Sequence, residues 1–398
     1  MEPPASDISR ERAARAADRS RIAHIEAQIS EPERTVGSLA EEEDSLRGRL
    51  ATYAYPVLTL PNEIVSEIFI HFLPDFPRYP PPIGLLSPYL LCQICREWRH
   101  IAFVTPALWS VISLSFNKVG RLAQKLRYLK TSIERSGSCR LSLKLGTSFN
   151  PDQEYLAELN HVVINHFHRM EYLDLSGPGF EFPTDAELSL PFLRGLKLGN
   201  FSEPPVTPLV APVLHHVVLR CLDDLDNSFF PWSQLTAITV EWIRLDGYSY
   251  LMNELVNIVH CRLWIYPAGH LSLRDITLAH LGTFVLENRF GALGAALSGI
   301  IATLTLPALR RFQIAETLFA NKDDPVDSIT ALVTRSGCNL RELSITDANT
   351  AHITAYHDAF PSTSLVFSSL DITEPFLIDW EDEDAESSDE SEGTDSEG

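Results

Sequence analysis

Apolar positions change texture along the chain. In residues 1–56 they are sparse and spaced by heptads. With Ile22 at position a, Ile25 falls on d, Ile29 and Val36 on a, Leu39 and Leu46 on d, Leu50 on a and Tyr53 on d. A sustained 3.5-residue period marks a helix that buries one seam against a partner. Pro32 at d and Glu43 at a interrupt the seam. An internal proline deletes a hydrogen bond and crowds the preceding turn, so a kink or split is expected there. The pattern predicts a coiled coil, within the chain or as a homodimer through residues 22–53, with a solvated single helix as the other reading. From 57 to 115 the apolar residues are dense. Pro61 can open a helix that carries Ile64, Val65, Ile68, Phe69 and Phe72 on one side. Ser87 and Pro88 open a second, where Leu91, Ile94, Cys95, Trp98, Ile101 and Ala102 recur at steps of three and four, and Thr105 and Pro106 open a third before Leu108 and Trp109. Three short helices make a small core. Their wide apolar faces predict that another protein completes it.

Residues 116–378 carry a longer period. A large apolar residue followed by others three and five positions later recurs from Met170, Leu193, Leu214, Leu235, Ile258, Leu281, Leu309 and Leu340, at intervals of 21 to 31 residues. Most of these intervals suit leucine-rich repeats of ~20 to 29 residues, in which each apolar pair is a short strand facing a stacked core. A weaker ninth copy begins at Phe367, and Leu141, Leu143 and Leu145 can form a starting strand. Pro191, Pro212 and Pro307 each precede an anchor by two residues, as turn residues do at a strand entry. The expected fold class is α/β: an N-terminal helix (1–56), a small three-helix module (57–115), an irregular leucine-rich-repeat solenoid (116–378) and a disordered acidic tail (379–398). An α/β domain with parallel strands and short crossovers is the alternative.

Length and composition agree with two or three folded segments, since 398 residues exceed one ordinary core and 45% are apolar. The formal charge of −21 argues against nucleic acid and anionic membranes as partners. Eleven of the 53 acids lie between Asp379 and Gly398 with no base among them, so the first 378 residues hold 42 acids against 32 bases, a net of −10. That tail has almost nothing to bury. Within it, Ser387 and Thr394 each have a glutamate three residues on, as acid-directed kinases require. The uncharged stretch 290–309 is long enough to span a bilayer, but it is rich in small residues, holds Pro307 and overlaps a repeat, so no membrane is expected. Six scattered cysteines and a charged start indicate a reduced intracellular protein, cytoplasmic or nuclear.

Candidate chemistry is thin. Cys92 and Cys95 form the single CxxC pair, with no second pair to complete a zinc site. The histidine pairs 166/168, 215/216 and 352/357 have no acid or cysteine arranged around them as a ligand set, and no nucleophile elbow or phosphate loop is present. No metal, cofactor or catalytic residue is predicted.

The block LPNEIVSEIF at 60–69, with ICREWRHIA at 94–102 and TPALWSVI at 105–112, resembles an F-box in the form found in the large F-box families of mushroom-forming fungi. The heptad helix running into YPVLTLP is similar to those families too. The resemblance covers residues 20–115 and, more loosely, the repeats. It implies that Leu60, Pro61, Ile64, Ile68 and Phe69, with Ile94, Cys95 and Trp98, contact a Skp-type adaptor. The chain would then be a non-catalytic receptor that brings an unknown protein target to a cullin-RING ubiquitin ligase of the SCF type. A ligase-independent, self-associating scaffold is the other functional reading. The proline-rich segment PDFPRYPPPIG at 74–84 departs from the common F-box pattern, and its expected effect is to loosen the pairing of the first two helices.

Overall fold

A computed structural model of the chain describes residues 5–52, 60–116, 122–147, 153–176, 180, 188–199, 207–221, 229–266, 268–270, 274–287, 296–319 and 324–368. The chain divides into two units, Met1–Val65 and Ser66–Gly398. The first is dominated by α1 (Ala5–Thr52), a helix of 48 residues that is continuous through Pro32. Proline removes one backbone donor, and the Ala-, Glu- and Arg-rich turns beside it have high helix propensity. At the end of this unit α2 (Asn62–Phe72) begins where Pro61 O accepts from the N–H groups of Ile64 and Val65, at 3.0 and 3.1 Å.

The second unit opens with the rest of α2, then α3 (Pro88–Ile94), α4 (Arg96–Phe103) and a 3₁₀ turn, Pro106–Trp109. Among the described residues eleven strands of four or more residues follow: β1 (Val111–Phe116), β2 (Leu141–Thr147), β3 (Met170–Ser176), β4 (Gly195–Leu198), β5 (His216–Leu219), β6 (Ala237–Arg244), β7 (His260–Tyr266), β8 (Thr283–Glu287), β9 (Arg311–Ala315), β10 (Glu342–Thr346) and β11 (Ser364–Ser368). They form one sheet, paired in chain order and parallel throughout. Parallel neighbours need crossovers. Helices α5 (Leu122–Arg135) and α6 (Gln153–Ile164) supply the first two. Later ones are made by α7 (Leu245–Glu254), α8 (Ala296–Thr303), α9 (Pro325–Ser336) and α10 (Ile353–Ala359).

Alternation decides the two faces of the sheet. Ile112, Leu143, Leu173, Leu196, Val217 and Ile238 are register partners on the apolar face, and the row continues through Cys261, Phe284 and Phe312. The Phe284 and Phe312 rings stack at 5.7 Å with 11° between planes. Leu126, Leu129 and Ile133 of α5 and Ile329 and Leu332 of α9 join the same buried core. The intervening row is mostly polar: Lys144, Asp174 and Lys197 lead across to Arg262, Gln313 and Ser344. The entry turns repeat. Leu193, Leu214 and Leu309 N–H groups donate to the carbonyls of Leu190, Ala211 and Leu306, with Pro191, Pro212 and Pro307 in the second position, where a fixed φ favours the turn.

This arrangement corrects the expected architecture. A three-helix module followed by an irregular leucine-rich-repeat solenoid does not describe the chain; a continuous eleven-stranded parallel sheet with helical crossovers does, and the α/β class is what remains of that expectation. The sheet begins at Val111, inside the segment assigned to the helical module. The third expected helix is only the 3₁₀ turn, because Trp109 is tied back by Nε1 donating to Ala102 O at 2.8 Å and β-branched Val111 and Ile112 enter the sheet at once. Spacing of anchor triplets also misses β1 altogether and misplaces β11, where Phe367 is near the end of the strand rather than before it. The uncharged stretch 290–309 holds, in its described part, the eight-residue α8 and a two-residue strand, Leu304–Thr305. No described helix is long and apolar enough to cross a membrane.

Candidate functional site

Helix α2 is apolar on more than one side. Val65 and Phe69 are buried, whereas Ile64 and Ile68, one position earlier in each turn, are 49% and 46% exposed. Leu60 and Pro61 are exposed ahead of the helix. A helix with apolar residues this far around its circumference is ordinarily enclosed. Here the extra stripe faces solvent.

The expected second helix breaks at Cys95. That residue is extended (φ −152°, ψ 175°), and its Sγ accepts from Trp98 N–H at 3.4 Å, capping α4. Arg99 Nε donates to Cys92 O at 2.7 Å, so the carbonyl freed at the end of α3 is satisfied. The break leaves Ile94 55% exposed and turns Trp98 onto Phe69, with ring centroids 4.9 Å apart. Of the eight residues matched by resemblance, Leu60, Pro61, Ile64, Ile68 and Ile94 are exposed. Phe69 lies in the core, Trp98 is partly buried against it and Cys95 is a cap.

Polar groups hold this block together. Thr105 Oγ1 donates to Ile101 O at 2.8 Å, so the 3.0 Å contact between Ser66 Oγ and Thr105 Oγ1 has Ser66 as donor. Ser87 caps α3 by accepting from Tyr89 N–H and donates to Pro82 O. The block is fastened to the sheet layer by Arg135, at the end of α5. Its guanidinium carbon lies 4.0 Å from the Phe103 ring centroid, 4.5 Å from Trp109 and 5.5 Å from Tyr89.

The proline-rich segment does not hang free. Phe76 packs on Tyr172 of β3 with centroids 4.3 Å apart, and Lys144 of β2 sits 5.7 Å from the Tyr79 ring. Burial, with Asp174 and Tyr172 nearby, pushes the Tyr79 phenol well above its ordinary value. Past this anchored part the turn presents Ile83, Leu85 and Leu86 to solvent. Leu86 is held at φ 64°, a left-handed conformation that costs an L-residue ~1 to 2 kcal/mol. The sequence carries no signal for these three residues, since nothing in a loop's composition says that it will be seated at its start and bare at its end.

Candidate chemistry elsewhere resolves into structure. Cys92 is buried, which raises its thiol pKa, and no group of three or more metal-ligating side chains occurs among the described residues. His352 Nδ1 is 2.6 Å from Glu316 Oε1, an acid distant in sequence. On the polar face of the sheet, Glu287 is buried; its Oε1 accepts from Arg262 Nη2 at 3.1 Å and Gln313 Nε2 at 2.9 Å. Ser387 and Thr394 lie outside the described residues. No protein-family model matches the chain, and no curated protein matches it.

Proposed function

We propose that the chain is a non-catalytic receptor that docks a Skp-type adaptor through the outer apolar stripe of α2 and the end of α3, bringing a protein target to a cullin-RING ubiquitin ligase in the cytoplasm or nucleus. The observation that carries this reading lies within the second unit: on α2 buried Phe69 stands next to exposed Ile68, and Ile94 at the end of α3 is exposed too. Apolar side chains left in water next to a finished core recover free energy only when a second protein covers them, at ~25 cal/mol per Å² of apolar surface removed. The capped break at Cys95 supports it, because the break sets Ile94 outside while Leu91 and Cys92 stay in. The target is left to the polar face of the sheet. Catalysis in such an assembly comes from holding the target near a conjugating enzyme, which asks no reacting group of this chain.

The test is co-purification with a fungal Skp-type adaptor. Wild-type protein should bind it, Ile68→Glu with Ile94→Glu should weaken binding at least tenfold, and Leu60→Ala with Pro61→Ala should also reduce it. The exposed positions make folding insensitive to the first pair. A folded wild-type protein that does not bind the adaptor ends this reading.

A further inference from the structure

We infer that α1 is one strand of a parallel, in-register two-stranded coiled coil whose other strand is α1 of a second copy of this chain. The helix is 48 residues long, about 72 Å at 1.5 Å per residue. Its described seam residues are bare: Ile22 is 55% exposed, Ile25 45%, Val36 66%, Leu39 58% and Leu46 46%. These five occupy a, d, a, d and d of a single heptad frame, in which Ile29 and Leu50 add two further a positions. A helix this long with an apolar seam in water is the pattern of a coiled-coil strand.

The residue types choose the occupant. In the heptad frame β-branched Ile22, Ile29 and Val36 fall on a and Leu39 and Leu46 outnumber Ile25 among the large apolar d residues, a balance that favours parallel pairs, with Leu50 at a and Pro32 at d outside it. In a parallel pair each g residue meets the e residue five positions later on the other strand. Arg21 then meets Glu26 and Glu42 meets Arg47, both attractive, while Gln28 with Glu33 and Thr35 with Ala40 carry no like charges. The seam is therefore complementary to itself. Glu43 fixes the register at a cost: it falls on a, so the two copies meet across the axis, and Arg47 of its own helix lies 2.7 Å from its Oε1 and offsets part of the repulsion. Any shift of register would set Glu43 against an apolar a residue and leave it without a polar neighbour across the seam.

The full chain should elute and scatter light at about twice its 44.6 kDa mass at micromolar concentration. Val36→Glu with Leu39→Glu should make it monomeric, with adaptor binding scored separately so that this inference and the receptor reading fail independently. Glu43→Leu should lower the dissociation constant at least tenfold. Leu46→Cys should cross-link to itself on oxidation, above the wild-type background from the six native cysteines, because parallel strands set this position beside its own copy. A wild-type monomer at tens of micromolar overturns the inference, as does a dimer that survives the Val36 and Leu39 changes. A dimer in which Leu46→Cys does not cross-link refutes the parallel register.

Discussion

Arg135 gives the sharpest test of how the exposed apolar surface is held in place. Its guanidinium is shared by Phe103, Trp109 and Tyr89, and Nη1 also donates to Tyr89 Oη at 3.3 Å. Trp109 is 1% exposed, so at least one of these cation–π contacts is desolvated and worth ~2 kcal/mol, while a contact at the more open Phe103 ring is worth ~0.5 to 1 kcal/mol. One cation cannot be counted three times. With the lost packing of its methylene stem, Arg135→Ala should cost about 2 kcal/mol, mostly in the attachment of α4 and the 3₁₀ turn to α5. Amide hydrogen exchange resolves this by segment. Peptides covering 96–110 should exchange about 30-fold faster in the variant, at ~1.4 kcal/mol per tenfold, while β7 and β8 keep their protection. Arg135→Lys, which keeps the charge and loses the planar stacking, should fall between. Exchange of 96–110 within threefold of wild type in Arg135→Ala would show that the three rings do not depend on the cation.

Other outcomes follow from single groups. Arg262→Met takes a cationic donor from the buried Glu287 carboxylate while Gln313 still donates to it, and should cost ~3 to 5 kcal/mol in urea unfolding, whereas Arg262→Met with Glu287→Leu should return to within about 1 kcal/mol of wild type. Burial, then His215 and His260, lowers His216 to about 4, so it is neutral in the fold and protonates first in the unfolded chain. Its contribution is complete above pH 6.5 and is lost as the pH falls toward 4, up to about 3 kcal/mol; unfolding midpoints of His216→Gln should therefore decline less than wild type between pH 7 and 4.5. Gly337 ends α9 at φ 60° with open space where a Cβ would stand, so Gly337→Ala costs only the left-handed backbone, ~1 to 2 kcal/mol by thermal unfolding, and Gly337→Asn less.

Much of the local structure was legible. The apolar triplets from Met170 to Leu340 coincide with β3 to β10, because a strand packed on one face must alternate and its entry turn must recur. The starts of α2 and α3 were written in Pro61 and in Ser87 with Pro88. Spacing of triplets did not carry the joining of these strands into one sheet that starts at Val111, since hydrogen bonding between strands is a relation between distant segments. The same limit applied to the site. Steps of three and four ran through Cys95 without a mark, because an extended residue that caps the next helix with its thiol keeps the apolar spacing on both sides of the break.

By itself the sequence determined where β3 to β10 run, where α2 and α3 begin and the heptad spacing along α1, all of them properties of neighbouring side chains and their period. Tertiary structure alone decided that Phe69 goes inside while Ile68 stays out, that Arg135 serves three rings, and that the proline-rich segment sets Phe76 on Tyr172 and Tyr79 beside Lys144. Ile68 and Phe69 are equally apolar in sequence. What separates them is which surface lies opposite, and that surface is brought there by chain tens of residues away.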